Sequence, residues 1–66
     1  MRYYFHILSQ NRLRIDTAGQ VFSNRIDADE HGRFIVKDLK TAGLKDALII
    51  VTSDNGEILY RIEVEP

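Results

Sequence analysis

Hydrophobic and polar positions alternate with period two from Arg2 to Leu8: Tyr3, Phe5 and Ile7 point one way, and Arg2, Tyr4, His6 and Leu8 the other. The aromatic and branched side chains suit a pleated surface, so the stretch predicts a strand. Its second face is nearly as apolar as its first. Ser9, Gln10 and Asn11 are turn formers, and Arg12 to Ile15 alternates again, with Leu13 and Ile15 expected to face inward, so the two segments predict a hairpin. Asp16 to Gly19 places Asp first and Gly fourth, as a type I turn prefers. Val21 and Phe22 are then expected to fold back onto the core.

The period changes after Asp27. Ala28, Gly32, Ile35, Leu39 and Ala42, with Val36 beside them, trace one face of a helix, while Arg33, Lys37 and Lys40 fall elsewhere. Asp27 as N-cap with Glu30 three residues later would satisfy two orphan backbone donors, and Gly43 suits the C-cap. An interior Gly32 costs roughly 1 kcal/mol against alanine, which suggests that the helix approaches the sheet closely there. Ala47 to Ser53 is a dense apolar run, and Asn55 and Gly56 favour a two-residue type I′ turn before the alternation of Glu57 to Val64. That turn would pair Ser53 with Ile58, Val51 with Tyr60 and Ile49 with Ile62 on the core face. Thr52 with Leu59, Ile50 with Arg61 and Leu48 with Glu63 would lie on the other.

The predicted fold is a single α+β domain spanning residues 1–66, with element order β-β-α-β-β. A right-handed crossover gives a four-stranded antiparallel sheet of order 2-1-3-4 with one helix packed on one face. The other face is left uncovered. Tyr4, His6, Leu8, Leu48, Ile50 and Leu59 are expected at its centre, with Arg12, Arg14, Arg61 and Glu63 around them, and an apolar centre with a charged rim is how protein interfaces are built. A homodimer, or a complex with another protein, is the expected use of this surface.

Length sharpens that expectation. A chain of 66 residues hides only about 60% of the surface its unfolded form would expose, and domains this small usually need disulfides, a metal or a partner. There is no cysteine, which removes the first and gives no sign of an oxidising compartment, so a cytoplasmic address is expected. Nine basic and ten acidic side chains leave a net charge of -1, so nothing in the overall balance favours nucleic acid or anionic lipid. No apolar run is long enough to span a bilayer, and no signal-peptide pattern is present, so no membrane association is expected.

The segments "RYYFHI" (Arg2 to Ile7), "DTAG" (Asp16 to Gly19) and "VTSDNGEIL" (Val51 to Leu59) together resemble a small family of uncharacterised proteins, a domain of unknown function common in alphaproteobacteria. Its members open with an "RYFFH"-type strand, pass through a "DEEG"-like turn and an amphipathic helix, and close with a "VTDEDGRVL"-like hairpin. The helix here is shorter and poorer in alanine than theirs. The resemblance implies the fold and implies no activity, so no functional residue is carried over.

Candidate chemistry is sparse. "DADEHGRFIVKD" follows the spacing of an EF-hand calcium loop, with Asp27, Asp29, His31 and Asp38 at positions one, three, five and twelve and Gly32 at six. Histidine at five and the short Asp at twelve are poor calcium ligands, and the macrodipole alone explains acidic residues at a helix start, so the capped helix is preferred and calcium is the alternative. His6 and His31 sit in no metal-ligand spacing and are read as an interface residue and a helix first-turn residue. "DTAG" lacks the aspartic-protease spacing, and Ser9, Ser23 and Ser53 have no histidine and acid in any local signature. A further alternative is single-stranded nucleic acid on the open face, using Arg2, Tyr4, His6, Arg12, Arg14 and Arg61. The interleaved Leu8, Leu48, Ile50 and Leu59 offer no stacking plane, so self-association is preferred. No enzyme activity and no cofactor are expected.

Overall fold

The structure, a computed structural model, describes residues 1–64. Strands β1 (Arg2–Ser9), β2 (Arg12–Arg14) and β3 (Gln20–Val21) precede helix α1 (Arg25–Thr41), and β4 (Ala47–Thr52) and β5 (Ile58–Val64) follow it. The fold is α+β, with one helix and an antiparallel sheet of order β2-β1-β4-β5 in which β3 pairs beside β1. The four expected strands are therefore joined by a fifth. β3 is two residues long and pairs Arg2 with Val21 and Tyr3 with Gln20, so Val21 edges the sheet rather than entering the core. Phe22 does turn inward, packing edge-on against Tyr3 and Phe5.

The helix begins earlier than its acidic residues suggest. Asn24, extended at φ -152°, is the N-cap: its side-chain oxygen accepts the Asp27 N–H at 2.9 Å. Asp27 thus lies in the first turn, where its charge still favours the positive end of the helix. At the other end the Gly43 N–H donates to the Lys40 carbonyl and the Leu44 N–H to that of Leu39, with Gly43 at φ 80°. These two bonds satisfy the last carbonyls in a Schellman arrangement, and Leu44 packs back on the core. The exposed Ala42 is the C-cap and leaves the predicted buried face.

Ala28, Gly32 and Leu39 are buried against the sheet, with Ile35 and Val36 partly buried. Opposite them lie Tyr3, Phe5, Ile49, Val51 and Val64, and these make up most of the core. Gly32 is there because nothing larger fits easily: a Cβ would stand 2.6 Å from Ile62 Cδ1 and 3.6 Å from Phe5 Cε2. The Ile62 methyl can rotate away from one added carbon, whereas a branched side chain would also meet Phe5. Gly32→Val is therefore expected to cost about 1–3 kcal/mol, and Gly32→Ala less, because the gain in helix propensity offsets the repacking. Urea unfolding of the two variants checks the order; equal stabilities would show that the helix does not need this close approach.

The second hairpin keeps the predicted register from Leu48↔Glu63 to Val51↔Tyr60 and then departs from it, because Thr52 pairs with Ile58. Only Gly56 in the turn is left-handed, at φ 83°. The Gly56 N–H donates to the Ser53 carbonyl and the Ser53 N–H to that of Glu57, which makes a three-residue loop in place of the expected type I′ turn. The Asn55 side chain holds the loop by accepting from the Glu57 N–H at 3.2 Å and contacting the Ser53 hydroxyl. The extra loop residue is absorbed as a bulge at Leu59.

Candidate functional site

The uncovered face is set by the first turn. Gln10 and Asn11 both adopt left-handed backbone, at φ 53° and 62°, the combination a two-residue type I′ hairpin requires. It pairs Ser9 with Arg12, Leu8 with Leu13 and Ile7 with Arg14. A register fixed this way decides which side every residue faces. Leu13 therefore shares the open face with Leu8 and is 54% exposed, which corrects its expected inward position. Ile15, also expected inside, is exposed. Arg12 and Arg14 go to the other side of the sheet.

The bulge makes a second exchange. Ile58, paired with Thr52, joins the open face and is 52% exposed, whereas Leu59 packs against the core cluster. Of the residues expected at the centre of the face, Tyr4, His6, Leu8, Leu48 and Ile50 are there and Leu59 is not. Three rows cross the face: Leu13–Leu8–Leu48–Glu63, then His6–Ile50–Arg61, then Tyr4–Thr52–Ile58. The first is apolar across three strands. α1 packs on the opposite side, against β4 and β5.

A polar chain runs through this face. The Asp16 N–H donates to His6 Nδ1 at 3.1 Å, and His6 Nε2 lies 3.0 Å from Thr52 Oγ1. Because Nδ1 accepts, the neutral ring carries its proton on Nε2 and donates it to the threonine hydroxyl. This tautomer cannot take a proton from Thr52, so the pair lacks the direction that an activated nucleophile needs. The Tyr4 and His6 rings run parallel, 6.4 Å between centroids.

Asp16 organises the segment between the two short strands. Its Oδ2 accepts the Phe5 N–H at 3.1 Å, and its Oδ1 accepts those of Ala18 at 3.1 Å and Gly19 at 3.0 Å. The predicted turn is present, but it is closed by the carboxylate rather than by a carbonyl. Burial alone would raise the Asp16 carboxyl; the three N–H groups, with help from His6, outweigh it and hold the group below its ordinary value of 3.8. Gly19 sits at φ 67° under Tyr4, whose Cε2 would be 2.8 Å from an added Cβ.

The calcium-like stretch lies wholly within α1, so Asp27, Asp29, His31 and Asp38 are spread along a continuous helix instead of circling a loop. Eleven residues of rise separate the first from the last by about 16 Å. Asp29 faces Arg25 at 3.8 Å, and His31, one turn later than expected, packs against Phe5 and Phe22 with centroids 4.9 and 5.4 Å away. Among the described residues, no group of three or more His, Asp or Glu stands together in a way that could hold a metal ion.

One cluster escaped the sequence reading. The Arg25 guanidinium lies over the Tyr60 ring, 4.4 Å from its centroid. Burial first, and the Asp29 carboxylate next, push the Tyr60 hydroxyl well above the usual phenol range, with Arg25 opposing. Residues 25 and 60 carry no sequence signal of proximity; only the early helix start brings them together. The cluster fastens the helix N-terminus to β5 by a cation–π contact.

These observations define a small α+β domain with a helix on one sheet face and a largely apolar second face open. The chain belongs to the family described as Domain of unknown function (DUF6894), whose model matches residues 2–65. No curated protein and no solved structure matches it. No helix among the described residues is long and apolar enough to cross a membrane.

Proposed function

We propose that this chain is a non-enzymatic interaction protein that associates with a second copy of itself through the open face of the sheet. The observation that carries the reading is the apolar row Leu13–Leu8–Leu48, with Ile50 and Ile58 near it, on a face that no helix or strand of the described chain covers and that the Asp16–Gly19 segment meets at Tyr4 and His6. Burying about 500 Å² of apolar surface per chain would contribute about 12 kcal/mol gross before association costs, a scale that matters for a core this small. Arg61 and Glu63 border the patch, as charged rims do. A cytoplasmic setting suits a chain without cysteine, and a bacterial one is what the family resemblance implies.

The alternatives have less support. Nucleic-acid binding on this face loses Arg12 and Arg14 to the other side of the sheet, and calcium binding would need a loop where α1 runs unbroken. Solution mass tests the preferred reading: Ile50→Asp is expected to halve it, and an unchanged mass would remove the face as the interface.

A further inference from the structure

The two edges of the sheet are finished differently. Along β1 the outer edge is closed: β2 covers Ile7 to Ser9, the Asp16 carboxylate takes the Phe5 N–H, and β3 covers Arg2 and Tyr3. β2, outermost beside Ile7 to Ser9, is three residues long, and very short strands are poor templates for further pairing. The opposite edge is β5, seven residues long, and among the described residues it pairs with β4 alone. From Leu59 to Val64 it has neither lysine nor proline, and its bulge lies at its first end. Lysine, proline and central bulges ordinarily guard an exposed edge, as other charged side chains do, and the charges β5 carries in this stretch are Arg61 and Glu63.

The charges on β5 are self-complementary. Arg61 and Glu63 are exposed and share the open face, while Ile62 between them faces the helix. When two copies of a strand pair antiparallel about a two-fold axis perpendicular to the sheet, residues equidistant from the axis face each other. With the axis at Ile62, Arg61 meets Glu63 of the second copy, Glu63 meets its Arg61, and Tyr60 meets its Val64. Moving the axis one residue either way sets Arg61 against Arg61 or Glu63 against Glu63, and like charges directly opposite are destabilising.

We propose that the free edge of β5 docks a second copy of this chain, antiparallel about Ile62, so that the two sheets continue as one. Both helices then lie on one side and both apolar faces on the other. The edge is thus a surface separate from the face assigned above, and it enlarges that face instead of covering it.

The chain has no cysteine, which makes a clean test available at two exposed positions. Arg61→Cys and Glu63→Cys proteins are prepared separately, mixed in equal amounts and oxidised gently. Directly opposed residues bring their Cβ atoms to about 4.5–5.5 Å, close to what a disulfide spans. The expected result is a disulfide-linked pair in the mixture that neither protein forms alone. Linkage within Arg61→Cys alone or Glu63→Cys alone would assign a different register, and no linkage in any sample would remove the edge contact; either overturns the proposal. The same mixture in an Ile50→Asp background separates the two surfaces: linkage is expected to persist, and its loss there would assign it to the face instead. As a second readout, Arg61→Glu is expected to halve the solution mass and the double swap Arg61→Glu, Glu63→Arg to restore it. Failure of the swap to restore it would contradict the charge pairing.

Discussion

Asp16→Ala is expected to lower the free energy of unfolding by about 2–4 kcal/mol. The carboxylate accepts three backbone N–H groups, from Phe5, Ala18 and Gly19, and hydrogen bonds to a charged group are each worth about 1.5–3 kcal/mol. The three values do not add, because the Ala18 bond is exposed and water can replace it. The Phe5 N–H is different. It lies on a core strand, in the gap between the stretches covered by β2 and β3, and it keeps no partner once the carboxylate is gone. A domain of this length has about 3–10 kcal/mol of total stability, so the loss would be a large fraction of it. Asp16→Asn separates charge from shape: the amide keeps the outline but turns a donor toward N–H groups that need acceptors, and it is expected to be nearly as damaging.

The sign with pH follows from the direction of the Asp16 shift. Its carboxyl is held below 3.8 in the folded chain, so the stability it contributes is complete above that value and declines as pH falls through the lower folded one. The alanine variant lacks this contribution at every pH. The gap between wild type and variant is therefore expected to be widest near neutrality and to close in acid. Urea unfolding followed by circular dichroism at several pH values measures it. A difference below about 0.5 kcal/mol at pH 7, the size of an ordinary surface substitution, would contradict this account of Asp16.

Ile50→Asp is expected to have the largest effect on association. Ile50 lies mid-face between His6 and Arg61, half-buried in the single chain. A carboxylate placed there would lose its water on pairing, with no donor facing it from the second copy and only its own rim neighbour Arg61 beside it, at a cost of several kcal/mol. Each 1.4 kcal/mol is tenfold in affinity, so a weakening of about a hundredfold or more is expected. In the separated chain the same carboxylate stays in water beside Arg61, so the fold survives with less stability. Ile50→Val, which keeps the surface apolar, is expected to leave the solution mass unchanged.

The elements with strong local chemistry were legible in the sequence. The β1 alternation, the helix face through Gly32, the Gly43 end and the register from Leu48 to Val51 follow from side-chain period and backbone preference. Both errors on the open face arose at turns, where one residue changes every later position. Gln10 and Asn11 are not a favoured left-handed pair, so nothing in the sequence marks a two-residue loop, and the alternation alone puts Leu13 inside. Asn55 and Gly56 are such a pair, yet the Asn55 side chain does more by holding Ser53 and Glu57, and only the glycine turns left-handed. Asp27 suggests the helix start, but Asn24, three residues earlier, is the cap, which also sets Arg25 over Tyr60. β3 is too short to leave a periodic pattern. The role of Asp16 was hidden because its partner Phe5 lies on another strand.

The most direct measurement is the solution mass of the wild-type chain by light scattering across a range of concentrations. A single chain weighs 7.6 kDa, and association through the open face gives at least twice that mass, falling toward the single-chain value only on strong dilution. A stable species of 7.6 kDa at every concentration, with Leu8, Leu13 and Ile50 left in water, would contradict it.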